Sequence, residues 1–267
     1  MIMVFIICIV STTLVQDHPT LLQLIGLGSV VGVLPVYLGL AAALILFKGG
    51  RWAWQLIGVS TGILLYLFFD LMDESLELVN SPDMLSWVVF TGSFLLSFFG
   101  LFLVDKYWQG KREHASPASL LPYTIALGMG FHNLGEGLAV GTSYAQGHLA
   151  LTQLLVLGFA LHNGTEGFAI SGPASRTHVD AKNFAALGLL AGGPTVLGTI
   201  ISAHALTPYL SLGCYTLAAG SLLYVIISLI TCSYKGRLMQ AAIGAGLGIS
   251  LMYATGAVLA RFIGMEI

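Results

Sequence analysis

Hydrophobic positions in this chain fall in long, nearly unbroken runs, with neither the alternation of a half-buried strand nor the one-sided stripe of a surface helix. Eight such runs lie at about residues 21–46, 52–72, 86–105, 119–145, 149–172, 183–204, 208–231 and 238–263, each closed by charges, proline or a polar cluster. About 20 apolar residues are needed to cross the hydrocarbon core as a helix, so length identifies each run as a transmembrane helix where periodicity says little. Strands of a membrane barrel alternate over about ten residues, which these continuous runs do not do. The short connections leave no room for a soluble domain, so residues 1–267 are expected to form one all-α, polytopic transmembrane domain. The first 16 residues form a shorter apolar run with no basic n-region and no clear small-residue cleavage site. That makes a cleaved signal peptide a weak reading, with a short extra span equally open.

Composition agrees. Only 8% of the residues are charged and 57% are hydrophobic, against roughly 25% charged in a soluble domain. Nine of the ten basic residues sit in alternate connections: Lys48 and Arg51; Lys106, Lys111 and Arg112; Arg176 and Lys182; Lys235 and Arg237. By the positive-inside rule those four connections are cytoplasmic, and the C-terminus faces outward. The basic residues are therefore topological, and no nucleic-acid partner is expected. Cys8, Cys214 and Cys232 are scattered in apolar context without CxxC spacing, which indicates neither a disulfide framework nor a thiolate metal site.

The chain also resembles itself. "PVYLG" at Pro35 to Gly39 matches "PTVLG" at Pro194 to Gly198, and "GILLY" at Gly62 to Tyr66 matches "GSLLY" at Gly220 to Tyr224, at nearly equal separations. The first run heads inward and the sixth outward. Runs 1–3 and 6–8 would then be an inverted repeat around runs 4–5, as in secondary transporters with a site near the bilayer midplane.

Two polar motifs interrupt the apolar background: "HNLGEG" from His132 and "HNGTEG" from His162. Residues four apart share a helix face, so His132 with Glu136, and His162 with Glu166, each present an imidazole and a carboxylate to one side. Each ionised carboxylate at mid-membrane costs an apparent ~2.5 to 3.5 kcal/mol on insertion scales, and a bound cation would offset it. One such pair could be a packing or interhelical feature; two matched pairs on consecutive, antiparallel runs argue for a shared site. Imidazole with carboxylate suits Zn²⁺, Fe²⁺ or Mn²⁺ better than Mg²⁺ or Ca²⁺. Asn133 and Asn163 offer amide oxygens to such a site, or bonds between helices. Met129, one turn before His132, is expected to pack. Asp70, Asp73, Glu74 and Glu77 share one face of the second helix and form either a cation funnel or a solvated helix end. His18, His148, His178 and His204 carry no assigned role.

The doubled H-N-x-x-E-G motif, with eight runs and an outward C-terminus, resembles the ZIP family of divalent transition-metal transporters. The likeness extends from about residue 20 onward. It implies a binuclear site formed by His132, Asn133, Glu136, His162, Asn163 and Glu166, with Asp70 best placed to add a ligand from the second run. The chain departs from the family pattern at several positions. Gly135 and Thr165 stand where proline usually precedes the motif glutamate. Gly193 and Ser228 replace frequent glutamates, and the loop carrying His114 is short.

The expected function is transport of a divalent transition metal, zinc first and Fe²⁺, Mn²⁺ or Cd²⁺ behind it, into the cytoplasm by alternating access, with the metal as substrate and no cofactor. No G-x-x-x-x-G-K-[ST] occurs, so the metal gradient or membrane potential would drive it. The alternative is an intramembrane metal-activated hydrolase; with no H-E-x-x-H present, an enzyme is not expected. The expected partners are metal ions and the lipid bilayer of the cell membrane. The residues leave metal preference, proton coupling and homodimerisation open.

Overall fold

The structure, a computed structural model, describes residues 19–46, 53–79, 83–111, 117–174, 179–202, 207–233 and 238–263. The possible extra span at 1–16, with Cys8, His18, His114, His178, His204 and most of the loop basic residues, lies outside the described residues. Helix is the only regular structure among those described. In an apolar surround each backbone N–H and C=O must bond within its own segment, and continuous apolar sequence meets that demand as helix.

Eight helical rods result among the described residues. The first, α1, runs through Leu21–Gly28, a π-helical turn at Ser29–Val33, and Leu34–Leu46. It is followed by α2 (Ala53–Leu78), α3 (Met84–Lys111), α4 (Pro117–Ala145), α5 (Leu149–Ala174), α6 (Ala181–Ser202), α7 (Pro208–Ser233) and α8 (Leu238–Ile263). Five of the eight, α1, α3, α6, α7 and α8, are long and apolar enough to cross a membrane. The other three have 26 to 29 residues, about 39 Å or more of helix, and they carry the polar motifs that lower their hydropathy.

Helix starts follow side-chain chemistry. Thr20 forms a reciprocal capping box with Gln23 at the head of α1. Asp83 accepts from the Leu85 amide at 3.1 Å before α3, Asp180 from the Asn183 amide at 2.7 Å before α6, and Thr207 from the Leu210 amide at 3.2 Å before α7. The Tyr209 hydroxyl also donates to Asp83, at 2.5 Å, and with the amide holds this exposed carboxyl below the usual carboxylate range.

The tight turn between α4 and α5 sets the site's geometry. Gly147 takes φ +71°, where a side chain would be strained, and its amide and that of His148 bond back to Tyr144 and Ser143 at 3.0 Å. Ser143 and Thr152 join hydroxyls across the turn at 2.9 Å, so α4 and α5 leave it antiparallel and in fixed register.

Around this hairpin, α4 packs most extensively on α6, α5 on α1, α2 on α8 and α3 on α7. Glycines permit the closest approaches. A Cβ on Gly137 would lie 3.0 Å from the Gly198 Cα, and one on Gly167 would lie 2.6 Å from the Gly39 carbonyl carbon. Met129 is fully buried among Ile125, Leu222 and Val225, as expected of a packing residue. Cys214 is a buried free thiol.

Candidate metal centre

The antiparallel register of α4 and α5 brings the two motifs together. His132 Nε2 lies 3.3 Å from Glu136 Oε1 on its own helix and 3.4 Å from Glu166 Oε1 across the pair. His162 Nε2 meets the same Glu136 Oε1. The imidazole rings are stacked, their centroids 5.7 Å apart. One ligand atom each from His132, Glu136 and His162 falls within 4.8 Å of the other two, and Glu166 joins this trio through His132.

Both asparagines bond between helices. Asn133 donates to Glu166 Oε2 at 3.1 Å and to the Ala191 carbonyl on α6 at 3.0 Å. Asn163 mirrors it, donating to Glu136 Oε2 at 2.7 Å and to the Val31 carbonyl in the π-turn of α1 at 3.0 Å. Pro35, four residues after Val31, has no N–H to offer that carbonyl. Pro194 lies three residues after Ala191, and the carbonyl it leaves without an N–H is that of Leu190, one residue away. Each asparagine thus ties one glutamate to a backbone carbonyl near a proline.

These bonds use the amide nitrogens and one oxygen of each carboxylate. Nε2 of both histidines and Oε1 of both glutamates are buried and face one another, and Oδ1 of both asparagines is buried with no hydrogen-bond partner among the described residues. A buried unpaired polar atom costs about 1 to 3 kcal/mol, and two carboxylates desolvated beside two imidazoles form a donor set that a cation would stabilise. Nitrogen and oxygen lone pairs converging there fit a transition-metal cation.

Among the described residues, the cluster meets open space at His162. Glu136 and His132 are at most 4% exposed and Glu166 is fully buried, whereas 13% of the His162 side chain is open. His162 borders a cavity of about 150 Å³ with Asp70, Tyr66, Phe159, Met252 and Thr255. A larger cavity of about 440 Å³ shares Tyr66 and Asp70 and adds Phe69, Asp73, Ile249 and Tyr253. Asp70 is accordingly an exposed wall of the approach, outside the trio of close ligand atoms. Asp73, Glu74 and Glu77 are exposed along the same helix. In the other direction the motifs abut the apolar core, where Ile63, Leu64, Met129, Ile170, Leu222 and Val225 are fully buried.

Two contributors escape a reading of the sequence alone. The Val31 and Ala191 carbonyls have no side-chain signature, although Pro35 and Pro194 stand beside them. Thr195 Oγ1, adjacent to Pro194, is buried and unpartnered, yet an isolated threonine in an apolar run carries no signal. At Gly193 a Cβ would meet only Leu189 of its own helix, and Ser228 is buried.

The molecule is thus an all-helical bundle of membrane character with a buried His/Glu cluster suited to a metal ion. Compared with known proteins, it matches no family model and no curated sequence.

Proposed function

We propose that this protein is a ZIP-like transporter that carries divalent transition-metal ions, zinc foremost, across the cell membrane into the cytoplasm by alternating access. The observation that carries this reading is the buried cluster of His132, Glu136, His162 and Glu166 at the α4–α5 crossing, bordered at His162 by an acid-walled cavity and packed elsewhere, among the described residues, against the apolar core. An ion entering past Asp70 exchanges water for His162, Glu136 and His132, with Glu166 and the asparagine oxygens completing the shell. The ligands bind deprotonated, so loading releases any proton they hold.

All eight helices cross the membrane in this reading, with the basic loops inside and the C-terminus outside. The helix pairing supports an inverted repeat. Exchanging α1 with α6, α2 with α7, α3 with α8 and α4 with α5 turns α4–α6 into α5–α1, α2–α8 into α7–α3, and α4–α7 into α5–α2, all of which pack against each other. The repeated glycines fall at equivalent crossings: Gly39 on α5 and Gly198 on α4; Gly62 on α8 and Gly220 on α3. Two equivalent halves around one site give two states of similar energy, open to opposite sides.

The test is metal uptake. Protein reconstituted in liposomes with a zinc-responsive dye inside is expected to admit Zn²⁺ down an inward-directed gradient, and Glu136→Gln to stop it. Tight metal binding without uptake would make the molecule a metal-holding protein of another kind, such as a sensor or hydrolase.

A further inference from the structure

The larger outer cavity has walls that a hydrated metal ion does not need. A six-water shell fills roughly 180 Å³ at about 30 Å³ per water, whereas the cavity holds about 440 Å³, within the range typical of organic ligand sites. Three of its six lining residues are aromatic, Tyr66, Phe69 and Tyr253, and Ile249 adds an aliphatic surface. Tyr66 and Tyr253 meet edge to face with ring centroids 5.0 Å apart, a mutually braced pair. The remaining two residues are Asp70 and Asp73, and among the described residues neither carboxylate is paired with a basic side chain.

A strongly hydrated dication gains little from phenyl and tyrosyl surface. A monocation carrying hydrocarbon uses every wall, its charge facing the carboxylates and ring faces and its body lying on Phe69 and Ile249. We infer that the cavity between α2 and α8 is a binding site for an organic ammonium ion. Two sources share this chemistry, a free aliphatic or aromatic amine and the ammonium headgroup of a membrane lipid. Because Tyr66 and Asp70 also line the smaller cavity that reaches His162, an occupant stands across the approach to the metal centre. This second consequence, competition with metal, rests on the transport reading; the binding itself does not.

The experiment is ligand-observed NMR titration of the purified full chain in a maltoside detergent, without metal, using 2-phenylethylammonium and its neutral near-isostere 2-phenylethanol. The ammonium is expected to bind at least tenfold more tightly than the alcohol. Asp73→Asn and Tyr253→Ala should each weaken it about tenfold, while Tyr253→Phe, which keeps the ring face, stays within twofold. Thermal melting of each variant checks folding, and Tyr253→Phe keeps the aromatic contribution testable if the alanine variant fails to fold. Added phosphatidylcholine that displaces the probe, where phosphatidylglycerol does not, identifies a lipid headgroup as the natural occupant; displacement by neither identifies a free amine. Equal binding of ammonium and alcohol, or no response to the Asp73 and Tyr253 changes, overturns the inference. Failure of zinc uptake in liposomes would leave this result untouched.

Discussion

The two motif glutamates look equivalent in sequence but are not equivalent in space, and that difference can be measured. Glu136 Oε1 faces both imidazoles, while Glu166 Oε1 faces only His132 and stands outside the group of atoms within 4.8 Å of one another. Replacing either by glutamine keeps the shape and removes one charge. A unit charge about 4 Å from a dication, at an effective dielectric of ~20, contributes roughly 8 kcal/mol of attraction; at about 6 Å it contributes roughly 5.5. Desolvation of the carboxylate takes back a sizeable part of each, but the gap of about 3 kcal/mol corresponds to roughly a hundredfold in affinity. Zn²⁺ titrations by calorimetry in detergent are therefore expected to rank wild type above Glu166→Gln and Glu166→Gln above Glu136→Gln by about that factor. Asn163→Ala, which removes the amide that holds Glu136 together with one oxygen of the proposed shell, should cost about 10- to 100-fold. Equal losses in the two glutamine variants would show that metal recentres the four residues symmetrically, and the argument from the ligand-free geometry would fail.

Helix crossings give a second test: Gly137→Leu forces a side chain against Thr195 and Gly198 and should lower stability by at least about 1 to 3 kcal/mol, whereas Gly92→Ala, with nothing within 4 Å of the new methyl, should leave the melting temperature unchanged. Cysteines introduced at Pro82 and Gly147 are expected to react with impermeant reagent only from outside, and those at Arg51, Arg112, Arg176 and Arg237 only from the cytoplasm; labelling of the Gly147 turn from inside would break the assigned orientation. Gly193→Glu, where a Cβ meets only the Leu189 side chain, at 3.3 Å, should raise metal stoichiometry or tighten a weak second ion while slowing uptake, since conduction needs release; two equally tight ions in the wild type would show that the added charge is not required.

The local parts of this protein were legible before any coordinates. Eight apolar stretches became eight helices because, away from water, the backbone can bond only within its own segment, and run length measures that directly. His132 with Glu136, and His162 with Glu166, could be placed on common faces because a spacing of four is a property of one helix. Their meeting could be expected from the short "AQGHLAL" connection, which permits only antiparallel neighbours. What required the tertiary structure is everything that depends on depth and on partners far apart in sequence. Asn133 reaches Glu166 and Ala191, and Asn163 reaches Glu136 and Val31, through bonds spanning 27 to 132 residues. Asp70, a ligand candidate by position, stands outside the trio of close ligand atoms and shares a cavity with His162, an arrangement that follows from the packing of α2 on α8. The inequality of the two glutamates arises from how two near-identical motifs cross, which sets Glu136 Oε1 against both imidazoles and Glu166 Oε1 against His132. Spacing along the chain sets which face a side chain shares, but only packing sets how far it stands from another helix, and electrostatic attraction depends on that distance.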